Sequence, residues 1–190
     1  MAQSNLLSVD WTQIPAPHDD GAAAHLTGSR LPDVSLAATD GGQVSLGRQR
    51  GRVVLYIYPM TGQPGVALPE GWDDIPGARG CTPQACAFRD HHAELLAAGA
   101  DLVFGLSAQV TGYQREAAER LHLPFPLLSD ADLSFAHALK LPSLVVEGKT
   151  LLKRMALIID NGVITKVFYP VFPPDRNAAD VLAWLKANPR

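Results

Sequence analysis

Six consecutive residues, Val53-Val54-Leu55-Tyr56-Ile57-Tyr58, are aliphatic or aromatic, and the run stops at Pro59. With no polar residue in the run, neither side of an extended chain there is suited to water. The run predicts a central strand covered on both faces, and covering it requires further layers of secondary structure.

The flanking sequence supplies those layers. Leu31-Pro32-Asp33 opens an extended stretch over residues 34–37, and the turn signal Asp40-Gly41-Gly42 leads into residues 43–46, a short hairpin. Beyond the central run, residues 101–106 are strand-like, 109–121 helical, 125–128 briefly extended and 132–139 helical. Strands alternating with helices imply a largely parallel sheet. The pattern then changes. Residues 151–159, the Asn161-Gly162 turn and residues 163–169 form a second hairpin, and residues 174–187 close the chain as an amphipathic helix anchored by Val181, Leu182, Trp184 and Leu185. Residues 1–30 mix Ser, Asp, His, Ala and Pro without a sustained period and are expected to be an extension, partly ordered at most, to a domain spanning 31–190. This order of elements predicts a thioredoxin-like α/β domain: a central mixed β-sheet flanked by helices, with an N-terminal extension and hairpin.

The chain has two cysteines, both in Arg79-Gly80-Cys81-Thr82-Pro83-Gln84-Ala85-Cys86-Ala87-Phe88-Arg89-Asp90. Thr82-Pro83 offers an N-cap and a proline for the first helical position, and Phe88, Leu95 and Leu96 carry an apolar stripe on to Gly99. Cys81 therefore falls at a helix entrance and Cys86 about one turn inside. Before them lies a stretch, residues 61–80, rich in proline and glycine and holding Trp72. Connections of that length within a compact domain are usually functional or mobile.

Composition narrows the roles open to the pair. A chain of 190 residues, 47% hydrophobic, is enough for one domain with a full core. Its net charge of -3 and scattered Lys and Arg leave no footprint for nucleic acid or an anionic membrane surface. Residues 1–20 lack a basic start followed by an apolar run, and no window is apolar enough to span a bilayer, so a soluble cytoplasmic protein is expected. In that reducing compartment neighbouring cysteines are more often catalytic, redox-active or metal-binding than structural. Zinc held with His91 and His92 fits poorly, because cysteines five apart on a helix do not converge on one ion. A thioredoxin-like dithiol reductase would ordinarily carry Cys-x-x-Cys, one residue pair closer than this spacing.

Tyr58-Pro59 at the strand end, followed by Gly80-Cys81-Thr82-Pro83-Gln84-Ala85-Cys86-Ala87-Phe88-Arg89-Asp90, resembles the active-site region of peroxiredoxins, and most closely the Q type, also called bacterioferritin comigratory protein-like. The resemblance covers roughly residues 31–185 and implies a thiol peroxidase acting on hydrogen peroxide and alkyl hydroperoxides. It makes Cys81 the peroxidatic cysteine and Cys86 the resolving one. Arg154 stands where that family places its catalytic arginine. The implied cycle needs neither metal nor organic cofactor, uses thioredoxin or a similar dithiol as reductant, and is compatible with a monomer or homodimer. A redox sensor or interaction module without efficient turnover could use the same pair.

One departure from the family pattern stands out. The pattern runs proline, three residues, threonine, two residues, cysteine; here an insertion of about fifteen residues separates Pro59 from Cys81, and Ala78 occupies the threonine position. A hydroxyl for the peroxide must come from elsewhere. Thr61 is the candidate on its proximity to Pro59, with Thr82 as the fallback.

Physical arguments bear on the implied roles. A thiolate at a helix N-terminus is stabilised by the dipole and the unpaired N–H groups, and a nearby guanidinium adds a full charge. Fast peroxide reduction further requires donors aimed at the charge that develops on the peroxide oxygens. Arg154 lies in an apolar stretch, and a buried guanidinium must face an anion, either a structural carboxylate or the site itself; Arg79 is the alternative cation, expected to be solvated in its loop. On an intact helix the α-carbons of Cys81 and Cys86 stand about 8.5 Å apart and about 140° around the axis from each other. A disulfide rarely tolerates more than about 7 Å. If Cys86 resolves Cys81, the first helical turn must unwind in each cycle.

Overall fold

In a computed structural model the structure describes residues 9–190. The central strand is there as expected: β3 (Arg52–Ile57) is buried along its whole length. It lies in a seven-stranded mixed sheet of order β2-β1-β5-β4-β3-β8-β9, where β1 is Ser35–Ala38, β2 Gln43–Ser45, β4 Leu102–Ser107, β5 Leu127–Ser129, β8 Met155–Asp160 and β9 Val163–Phe168. β3 pairs in parallel with β4 and antiparallel with β8. Its alternate residues feed two cores. Val53, Leu55 and Ile57 pack with Phe135 and Leu139 of α4 (Ser134–Leu139), whereas Val54, Tyr56 and the following Tyr58 pack with α1 (Cys81–Asp90), Leu95 of α2 (His92–Ala97) and α5 (Asn177–Ala187). The side-chain period of two thus covers both faces, as the unbroken apolar run demands. Tyr56 has room because its parallel neighbour is Gly105; a Cβ there would lie 2.6 Å from the Tyr56 ring. α3 (Thr111–Arg120) connects β4 to β5.

Three expectations change. Residues 151–159 do not form one strand. Leu151 and Leu152 end β7 (Lys149–Leu152), which pairs with β6 (Ser143–Val146) in a separate two-stranded sheet, and β8 begins only at Met155. The chain changes partner at Lys153-Arg154, with the Lys153 N–H donating to the Pro142 carbonyl, and so Arg154 precedes the strand rather than lying within it. The cysteine helix also starts earlier than its cap signal. Cys81 is its first residue, Gly80 is the N-cap in a left-handed conformation (φ 107°), and Pro83 stands third, where its missing N–H is still one of the orphaned donors of the first turn.

Residues 9–30 are not the loosely ordered extension expected. Leu26 and Ala23 are buried in the core on the α4 face of the sheet, Asp20 binds Lys153 and the Tyr169 hydroxyl, and Arg30 forms a bridge to Val163. The apolar residues of this stretch carry no periodic signal, yet Leu26 and Ala23 reach the core and polar contacts hold the segment beside them. The expectation for residues 1–8 lies outside the described residues.

Candidate active site

The site is assembled at the carboxyl ends of the parallel strands, where α/β sheets ordinarily place ligands. β3 is followed by Tyr58, whose N–H donates to the Leu106 carbonyl of β4, and Pro59 carries the chain away from the sheet. The next residue, Met60, directs its N–H at the Cys81 sulfur, 3.4 Å away. From the other side Arg154 Nη2 donates to the same sulfur at 3.2 Å. Cys81 is buried, at the first position of α1. A thiolate there accepts two N–H groups, faces a guanidinium and sits on the positive end of a helix.

Arg154 is 3% exposed. Its Nη1 donates to Gln84 Oε1, and its Nη2 also reaches the carbonyls of Gly77, Ala78 and Arg79 at 3.0–3.3 Å. Gln84 in turn donates to Asn177 Oδ1 at 2.9 Å, and both are almost wholly buried. The guanidinium is thus held by neutral acceptors and a sulfur, and among the described residues its Nε has no partner. Gln84 and Asn177 escaped the sequence reading. Gln84 could have been found, because it lies three residues after Cys81 and so shares its helix face; Asn177, distant in sequence, gave no signal.

Thr61 is not directed at Cys81. Its N–H and hydroxyl both donate to Gln109 Oε1, at 3.0 and 3.1 Å, and Gln109 Nε2 donates back to the Thr61 carbonyl. Proximity to Pro59 did not fix where the hydroxyl points. Thr82, in contrast, helps line a void of about 20 Å³ beside Cys81, with Met60, Leu68, Trp72 and Gly80. Arg79 is buried, not solvated, and pairs with Asp73 at 3.1 Å.

The long stretch between Pro59 and Cys81 is folded against the β6–β7 hairpin. Trp72 and Ala78 form a small core with Val146 and Leu151, and the Glu70 N–H donates to the Glu147 carboxylate. Between this stretch and α3 runs a groove of about 750 Å³ lined by Met60, Val66, Leu68, Val110, Tyr113 and Leu151 among others. Met60, Gly62 and Leu68 line both the groove and the void beside Cys81.

Cys86 is half-buried on the intact helix, and both cysteines are free thiols. Burial pushes the Cys86 thiol up from its ordinary value, more than the neighbouring Arg89 guanidinium draws it down. Beneath α1, Tyr56 stacks on Phe88 with ring centroids 4.5 Å apart. His91 Nδ1 contacts the Ala87 carbonyl, and no group of three metal-ligating side chains occurs among the described residues.

A thioredoxin-like sheet that presents a buried cysteine at a helix start, against a guanidinium, defines a thiol-based redox protein. Residues 26–182 match the Redoxin family model. A curated relative, the chloroplastic peroxiredoxin Q of Oryza sativa subsp. japonica, is 33% identical over 162 residues, which is 84% of this chain and 66% of the rice protein's length. Among solved structures, peroxidoxin BcpB from Mycobacterium tuberculosis superposes with a TM-score of 0.67 at 28% identity, covering 86% of this chain and 98% of that one. The bacterioferritin comigratory protein of Xanthomonas campestris, whose structural description concerns alkyl peroxide reduction, gives a TM-score of 0.62 at 25% identity, covering 83% of this chain and 95% of that one. The chain belongs to the Redoxin family and within it to the Q-type peroxiredoxins.

Proposed function

We propose that the chain is a thiol peroxidase in which Cys81 attacks hydrogen peroxide and alkyl hydroperoxides. The observation that carries this reading is the Cys81 sulfur receiving donors from both Arg154 and the Met60 N–H at the start of α1. The thiolate attacks the near oxygen of the peroxide and the O–O bond breaks. The sulfur becomes a sulfenic acid, and the far oxygen leaves as water or an alcohol after taking a proton. Arg154, with its unpaired Nε–H, and the Thr82 hydroxyl are assigned to the developing charge on the oxygens. Pro59 ends the strand and turns the chain so that the Met60 N–H meets the sulfur; Thr61 holds that turn through Gln109.

The void beside Cys81 has room for about one water-sized molecule. Hydrogen peroxide needs little more, whereas the carbon tail of an alkyl hydroperoxide needs another place. The adjoining groove is of the size of small-molecule sites, about 300–1,000 Å³, and its apolar lining suits such a tail.

Cys86 then condenses with the sulfenic acid, forming the disulfide and releasing water, and an external dithiol such as thioredoxin restores both thiols. A thiol whose pKa is raised by burial is mostly protonated at neutral pH and brings the proton that the departing hydroxide needs. Two free thiols suit a reducing compartment, and the cytoplasm is our assignment; the plant relatives are named as chloroplastic. Among the described residues no helix is long and apolar enough to cross a membrane.

The test is peroxide consumption coupled to thioredoxin, thioredoxin reductase and NADPH for the wild type, Cys81→Ser and Cys86→Ser. Cys81→Ser is expected to lose turnover, and Cys86→Ser to form the sulfenic acid but to lose recycling through the intramolecular disulfide. Full turnover by Cys81→Ser would refute the central assignment; full thioredoxin-dependent turnover by Cys86→Ser would remove only the resolving role.

A further inference from the structure

The docked N-terminal segment touches the one part of the molecule that has to move. Trp11 lies in a short 3-10 turn capped by Asp10, whose carboxylate accepts from the Thr12 N–H. Its indole N–H donates to Asp175 Oδ2 at 2.9 Å, and its ring meets Phe172 edge-on with centroids 6.0 Å apart. Its far edge rests on Gly80: a Cβ added to Gly80 would lie 2.6 Å from Trp11 Cη2 and 2.7 Å from Pro174 Cγ. Gly80 is therefore gripped between Trp11 and Pro174, in a left-handed conformation and in a space that admits only glycine. Six residues further along the segment, Pro17 packs over Gly77. The clamped residues, Gly77 to Gly80, lead directly into Cys81 and include carbonyls that accept from Arg154.

A Cys81–Cys86 disulfide cannot form while α1 is intact, because helical geometry keeps the two residues too far apart and turned away from each other. Opening the first turn moves Gly80, and Gly80 cannot move far without displacing Trp11. We propose that residues 10–17 are a strap that opposes opening of α1, with Trp11 as a positioning residue that sets the rate of disulfide formation without taking part in the attack on peroxide. This rests on the resolving role given to Cys86 above. While the strap is docked, the sulfenic acid on Cys81 persists longer; a second equivalent of peroxide then competes with Cys86 for it and carries it on to sulfinic acid, one further oxygen being transferred and one further O–O bond broken. Release of the strap shifts the outcome to the disulfide.

The experiment separates the two steps in the full-length protein. Stopped-flow mixing with one equivalent of hydrogen peroxide gives the rate of sulfenic acid formation and then that of disulfide formation, and mass spectrometry after excess peroxide gives the sulfinic fraction. Trp11→Ala is expected to raise the second rate about tenfold, the effect of losing one hydrogen bond and one aromatic contact, and to lower the sulfinic yield. Asp175→Asn, which keeps the shape but weakens the indole's acceptor, should move both readouts the same way by less. Hydrogen exchange at Thr12, Gln13 and Ile14 should be faster in the disulfide form of the wild type than in the reduced form. Equal second-step rates in wild type and Trp11→Ala, or a slowing of both steps together, would overturn the strap. Absence of a Cys81–Cys86 disulfide in the wild type would instead remove the resolving role on which it rests, and the strap with it.

Discussion

Two buried arginines stand at opposite ends of the same pair of antiparallel strands, and they are satisfied in opposite ways. Arg52 opens β3 and pairs with Asp160 at the end of β8, through Nε to Oδ1 at 2.7 Å and Nη2 to Oδ2 at 3.1 Å; its Nη1 donates to the Asn188 carbonyl and its guanidinium lies over the Trp184 ring. Arg154, just before the other end of β8, has a side-chain amide, three backbone carbonyls and the Cys81 sulfur, and one N–H with no partner among the described residues. A guanidinium with its own carboxylate is neutralised in the resting fold. A guanidinium held by neutral dipoles keeps its charge directed at whatever anion enters the site. The contrast separates an arginine neutralised within the fold from the one to which the proposed chemistry is assigned.

Replacement of Arg154 gives the largest expected effect. Arg154→Met should lower kcat/KM for hydrogen peroxide by roughly 10²–10³-fold, as loss of one charged donor to a developing oxyanion does elsewhere. Its thermal midpoint should fall less than that of a variant that strands a charge, because the acceptors it leaves unpaired, Gln84 Oε1 and three carbonyls, are neutral and no carboxylate is stranded. A stopped-flow peroxide assay and a melting curve on the same preparation check both. A large loss of stability with unchanged kcat/KM would make Arg154 the structural arginine of the two.

Arg52→Met should do the reverse. It strands the Asp160 carboxylate, and breaking a buried pair costs about 3–5 kcal/mol. Since the Asp160 side chain is 23% exposed, solvent screening brings the expectation to about 2–3 kcal/mol by urea unfolding. The peroxide rate should change little. Burial pushes the Asp160 carboxyl up, but hydrogen bonds from Arg52 and Thr165 together with the Arg52 charge outweigh it and leave the pKa below the ordinary value. A carboxyl whose pKa is depressed in the native state stabilises the fold above its unfolded pKa and loses that contribution as pH falls through the native one. The stability gap between wild type and Arg52→Met should therefore narrow as pH is lowered through about 4 and below. A gap independent of pH would mean that Asp160 is not the group being stranded.

The local parts of this site were legible in the sequence, and the relational parts were not. The apolar run from Val53 to Tyr58 announces a two-sided strand because burial on both faces leaves no polar position. A cysteine at a helix entrance is legible because capping chemistry is local, although the cap proved to be Gly80 and not Thr82. The break at Lys153-Arg154 could not be read, since apolar residues on both sides fit either sheet and only the exchange of β6 for β3 as neighbour divides them. The direction of Thr61 was equally hidden: its partner, Gln109, lies across the sheet end. The docking of residues 9–30 rests on Leu26 and Ala23 entering the core and on Trp11 and Asp20 meeting residues more than a hundred positions away, Asp175 for Trp11 and Lys153 and Tyr169 for Asp20. Spacing in sequence reports what an element is, whereas these contacts depend on where elements meet.

The smallest expected change gives Arg154 what Arg52 already has. Gln84→Glu is nearly isosteric and places a carboxylate on Arg154 Nη1, where an amide oxygen now accepts. The displaced amide N–H had been given to Asn177 Oδ1, so Asn177 must turn its amide to donate to the new carboxylate. The resulting pair would neutralise the guanidinium before peroxide arrives and would place a second negative charge near the Cys81 thiolate. At an effective dielectric near 20, a charge a few ångströms from the reacting atoms is worth roughly 1–2 kcal/mol after screening, so kcat/KM for hydrogen peroxide should fall about tenfold, less than on removal of the arginine. Stability should hold or rise slightly, because a buried cation gains a partner. If Gln84→Glu instead reacts as fast as the wild type, the neutrality of the Arg154 cradle has no bearing on the chemistry, and the difference between the two arginines is one of packing alone.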